Sequence, residues 1–96
     1  MDNKNICIDF VSRETGEVHA GFGVGLLEAI FDLAGNMGYA LRVGFSYSIY
    51  GVLFYESVLS SDFSGEGNTI EQAIFYLGKS MGYEVFIKEK AEGWKK

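Results

Sequence analysis

The sequence predicts an α+β domain of ferredoxin-like βαββαβ order made from two related halves, and three observations carry that expectation. Shifting the chain by 44 positions lays GFGVGLLEAIFDLAGNMGY (21–39) over GEGNTIEQAIFYLGKSMGY (65–83) without a gap, and nine of the nineteen positions are identical. Ordinary residue frequencies give roughly one or two matches over such a window. Each copy carries apolar residues at three- and four-residue spacing, which is the helix period. The segments around the copies alternate apolar with polar residues, which is the strand period. The halves expected are about 5–48 and 49–90 of a single domain covering 1–96, with 91–96 as a tail.

The elements follow in order. Residues 5–12 set Ile6, Ile8 and Phe10 against Cys7, Asp9 and Val11, a half-buried strand. Arg13 to Gly16 reads as a turn that returns into an extra short strand over 17–22. Leu26, Leu27, Ile30, Phe31, Ala34 and Met37 form the apolar side of a first helix, closed by Gly38 in the left-handed position. Residues 39–47 alternate Tyr39, Leu41, Val43, Phe45 and Tyr47 with Ala40, Arg42, Gly44 and Ser46. Residues 50–58 alternate in the same way. A second helix runs through Ile70, Ala73, Ile74, Leu77 and Met81, capped by Thr69 or Asn68 and closed by Gly82. A last strand covers 83–90. The repeat places Phe31 and Phe75 in matching positions, expected to be core. In a ferredoxin-like arrangement both helices cover one sheet face. The open face then carries Leu53, Tyr55, Phe86 and Val11 beside Asp9, Arg42, Glu84 and Lys88.

Composition narrows the function classes. Ninety-six residues, 48% hydrophobic, suffice for one core without metal or disulfide. The single Cys7 cannot form an internal disulfide, and MDNKNICIDF has neither a basic start nor the apolar run of a secretory signal, so a reducing, cytoplasmic setting is expected. The formal charge is −5. It is concentrated: Glu17, Glu28, Asp32, Glu56, Asp62, Glu66 and Glu71 stand against Arg42 alone between Glu17 and Gly78. An acidic body opposes direct binding to nucleic acid, which needs clustered Lys and Arg. The aromatic segment 50–56 also lacks the basic start of an RNA-stacking strand.

Chemistry-bearing motifs are few. The Gly21-x-Gly23 and Gly65-x-Gly67 pairs, with Gly25, read as loops at helix N-termini, where unpaired N–H groups attract anions. They lack the spacing of a dinucleotide fingerprint and the Gly-Lys-Ser/Thr ending of a phosphate loop. His19 and Cys7 lie on neighbouring strands but have no orienting third group. No zinc ligand set exists, and Asp62, Glu66 and Glu71 lack the alternating ligands of a calcium loop, so neither metal nor cofactor is expected.

The expectation is therefore a non-catalytic, protein-binding module of phage or mobile-element type. It would inhibit a host nuclease or defence complex by occluding a basic surface through Asp9, Arg42, Leu53, Tyr55, Glu56, Asp62, Glu66, Glu71 and Phe86. A homodimer is expected through the open face or a sheet edge. The alternative is a regulatory domain that binds a small ligand or anion at Gly21, Gly23, Gly25, Gly65 and Gly67 or at a dimer seam.

Overall fold

The computed structural model describes residues 5–55 and 62–90. The element order is β1 (Asn5–Ser12), β2 (Val18–Val24), α1 (Leu26–Met37), β3 (Ala40–Ser46), β4 (Ile49–Tyr55), β5 (Asp62–Gly67), α2 (Ile70–Ser80) and β6 (Tyr83–Lys90). The fold is α+β, with two helices and two antiparallel three-stranded sheets of order β2-β1-β6 and β3-β4-β5. Glu56, the end of the strand expected to reach 58, and the tail 91–96 with Trp94 lie outside the described residues.

The ferredoxin-like order needs one sheet in which β1 lies between the last strand and the strand that leads into the second helix, expected over 50–58. Both edges of β1 are already occupied, by β2 on one side and β6 on the other. The short strand regarded as an insertion takes the edge of β1 that a split βαβ unit leaves for the 50–58 strand, β4. In turn β3 pairs with β4 through a two-residue turn, and β5 fills the other edge of β4. β5 is a strand where the Gly65-x-Gly67 pair predicts a loop.

The core lies between the helices and the sheet faces that carry Ile6, Ile8, Phe10 and Val52, and it is closed by Ala29, Ile30, Leu33, Ala34, Ala73, Ile74 and Leu77. Capping follows the sequence. Thr69 Oγ1 accepts from Gln72 N at 3.1 Å, and Gln72 Oε1 accepts from Asn68 N at 2.7 Å. Gly38 and Gly82 adopt φ of 84° and 88° behind the two helices.

Phe31 and Phe75 occupy matching positions, but not in the core: they are 67% and 41% exposed. The cause is the way each helix meets its preceding strand. A Cβ at Gly21 would lie 2.6 Å from Leu33 Cβ, and one at Gly23 would lie 2.6 Å from Ala29 N. A Cβ at Gly65 would lie 2.8 Å from Leu77 Cα, and one at Gly67 2.7 Å from Gln72 Cβ. The helix backbone thus rests on bare strand backbone through the Ala29–Leu33 and Ala73–Leu77 sides. Leu27 and Phe31, one turn apart, are rotated out of that contact.

Candidate functional site

The exposed edge of β2 is covered by α1 in a regular way. Glu28, Asp32 and Asn36, each one turn apart, meet alternate residues of the strand. Val24 N donates to Glu28 Oε1, Phe22 N donates to Asp32 Oδ2 at 2.9 Å, and Asn36 Nδ2 donates to Ala20 O at 2.7 Å. Edge N–H and C=O groups that would invite another strand are thereby satisfied. At β5 the outer positions of this pattern recur, as Gln72 to Asn68 and Ser80 Oγ to Ser64 O at 3.3 Å. Tyr76 stands where Asp32 stands in the first half.

The glycines proposed as anion loops are therefore not loops. Gly21 and Gly23 lie inside β2, and Gly65 and Gly67 inside β5. Ala29 and Leu33, with Ala73, Leu77 and Gln72, fill the space that a bound anion would need. Gly25 is the N-cap of α1 at φ 97°, and the carboxylate of Glu28 already sits at that helix start. His19 and Cys7 do not approach as a pair. His19 is registered with Phe10 and points to the same face, whereas Cys7 lies on the opposite face, with Sγ 3.3 Å from Asp9 Oδ1.

The residues expected on one open face are split between the two sheets. Asp9 and Phe86 are cross-strand neighbours on the first sheet, where Lys88 Nζ lies 3.1 Å from Asp9 Oδ2. Asp9 is thus already paired within the chain. Arg42, Leu53, Tyr55, Asp62 and Glu66 share one face of the second sheet, in the rows Ala40–Tyr55–Asp62, Arg42–Leu53–Ser64 and Gly44–Gly51–Glu66. The side chains of Leu53, Tyr55 and Asp62 lie outside the described residues. Glu71 is in the first turn of α2.

Sequence reasoning missed the most exposed apolar surface. Leu27 and Phe31 of α1 converge with Leu41 and Val43 of β3 on one open groove, with Glu28 at its margin. Beyond Val43 the β3–β4 hairpin continues the apolar surface with Phe45 and, at the tip, Tyr47, which are 60% and 96% exposed, whereas Ile49, registered with Ser46, lies on the opposite face. The rings of Phe45 and Tyr50 lie 4.4 Å apart and brace the hairpin from inside. The signal was present in the alternation 39–47, but periodicity does not say where a strand outruns the helix that covers it.

The tip of that hairpin is strained. Tyr47 and Ser48 have φ of 51° and 63°, the sign that a type I′ turn requires and that Asn-Gly supplies cheaply. Each non-glycine residue held there costs about 1–2 kcal/mol. Replacing Tyr47-Ser48 by Asn-Gly should raise stability by about 1–2 kcal/mol in a urea titration, and an unchanged midpoint would show that the turn is relaxed.

A second groove lies between α2 and β6, where Phe75, Tyr76 and Val85 meet Arg13, Lys79 and Glu84. Phe75 and Val85 correspond by the 44-residue shift to Phe31 and Leu41. The first groove has the Glu28 carboxylate at its margin, and the second has two cations against one carboxylate. Among the described residues no helix is long and apolar enough to cross a membrane. Comparison with protein-family models, curated proteins and solved structures gives no match, so the surface itself carries the functional reading.

Proposed function

We propose that the protein is a non-catalytic binding module that occludes a basic surface of a partner protein. The observation that supports this is the apolar surface running from Leu27 and Phe31 across Val43 to Phe45 and the Tyr47 tip, with Glu28 at its margin and Glu66 on the opposite face of the same sheet. Exposed apolar surface beside a fixed carboxylate, Glu28, matches the anatomy of an interface in which aromatics anchor and charges steer. An inhibitor of a nuclease or defence complex, of phage or mobile-element origin, is the biological role that this chemistry suits, because the enemy surface is then one built to hold phosphates.

The same reading includes a duplication. Asn5 and Ile49, Val18 and Asp62, and Leu26 and Ile70 begin matching elements at the 44-residue separation of the sequence match. In this view two ββαβ halves exchange their last strands, and the halves have since diverged in the charge around their grooves.

Capture from a host lysate by wild-type protein, compared with a Phe31→Asp, Phe45→Asp double variant, tests the reading. Loss of the captured partner in the variant supports it, and undiminished capture overturns it. With a partner in hand, the Asp62→Asn, Glu66→Gln, Glu71→Gln triple variant should slow association about tenfold at low salt while changing dissociation less than threefold. An association rate indifferent to both salt and the triple change would make the acidic body a solubility feature only. Light scattering at tens of micromolar reads out the competing arrangement, a homodimer in which the acidic groove of one copy meets the basic groove of another.

A further inference from the structure

We infer that the outer face of the β3–β4–β5 sheet holds a receiving pocket for an arginine side chain of the partner, a deepening that rests on the protein-binding reading above. Gly44 and Gly51 are cross-strand neighbours, and Glu66 is the next residue in the same row. A Cβ at Gly44 or Gly51 would meet no atom within 4 Å, so both open onto free space. With strands spaced about 4.8 Å apart, this row offers roughly 10 Å of bare backbone beside one carboxylate. Tyr47 and Ser46 from the hairpin tip complete a depression of about 400 Å³.

The chemistry of these walls selects the occupant. A flat floor without side chains accepts a planar group, Glu66 offers two acceptor oxygens, and Tyr47 presents an aromatic ring to a cation. A guanidinium satisfies all three at once, by a forked pair with the carboxylate and by contact with the ring. An ammonium is compact and does not use the flat floor. Arg42 lies one row away on the same face, at the strand farthest from Glu66. The pocket also gives the strained tip a purpose, because the turn that costs stability is the one that raises Tyr47 beside the glycine pair.

The test is an NMR titration of ¹⁵N-labelled full-length protein with N-acetyl-arginine methyl ester, beside the lysine counterpart. Saturable shifts at the amides of Gly44, Tyr47, Gly51 and Glu66 are expected, with the lysine ester weaker. Glu66→Gln should weaken the arginine ester about tenfold, the loss expected when a charge-assisted pair is removed. Gly51→Val should block the floor, and Gly44→Ala serves as a milder second variant should the valine disturb the strand. Shifts that do not saturate, that fall elsewhere, or that survive both glycine substitutions overturn the inference. If the ester fails while Phe31→Asp, Phe45→Asp still abolishes partner capture, the pocket alone is wrong and the protein-binding reading stands.

Discussion

Gly21→Ala and Gly65→Ala should each destabilise the domain by about 3 kcal/mol or more, at or beyond the upper end of the usual overpacking cost. The added methyl would press on the helix backbone at Ala29 and Ala73 and on the Leu33 and Leu77 backbone behind them. Helix backbone cannot rotate away as a flexible side chain does, so the whole helix must lift from its strand. That movement would also open the bonds from α1 to the β2 edge through Asp32 and Asn36. A domain of this length has a total stability of about 5–14 kcal/mol, so the loss would be a large fraction of it. Gly35→Ala in α1, where nothing lies within 4 Å, is the matched control and should gain about 1 kcal/mol from helix propensity. Urea midpoints measure all three. A Gly21→Ala midpoint equal to wild type would mean that the helix and strand are not in contact.

Leu33→Ala and Leu77→Ala should each cost about 2–5 kcal/mol, because both side chains are fully buried and their removal leaves a cavity. Phe31→Ala and Phe75→Ala should cost less than about 1 kcal/mol each, since exposed substitutions seldom do more. The larger side chain thus has the smaller effect. Reversal of that order in a denaturant titration would put the phenylalanines back in the core and remove the apolar surface on which the binding reading rests.

These contrasts show which parts of the molecule were legible in its sequence. The helices, their glycine stops and the Thr69 cap are local features: they depend on hydrogen bonds and backbone conformations within a few residues, so residue type and spacing determine them. The alternation in 5–12 and 39–47 likewise fixed which strand side carries Ile6, Ile8 and Phe10 and which carries Arg42 and Gly44. The 44-residue match even reached the end of β5, because it lays Gly21 and Gly23 of β2 over Gly65 and Gly67. Asp62-Phe-Ser-Gly-Glu-Gly has one apolar inner residue, Phe63, because its other inner positions, Gly65 and Gly67, lie directly against α2.

Tertiary structure decided the rest. Strand pairing depends on which edges are already filled, and β2 occupying the edge of β1 turned an expected single sheet into two. The buried side of each helix was decided by glycine contact, since Ala29 and Leu33 can approach bare strand backbone closely while Leu27 and Phe31 cannot. Periodicity in α1 is compatible with either side, and only the close approach selects between them. The exposed Leu27–Phe31 surface follows from that selection, and the glycine floor beside Glu66 follows from the pairing of β3, β4 and β5. They are set by contacts between residues far apart in the chain, and single-sequence spacing carries no term for those contacts.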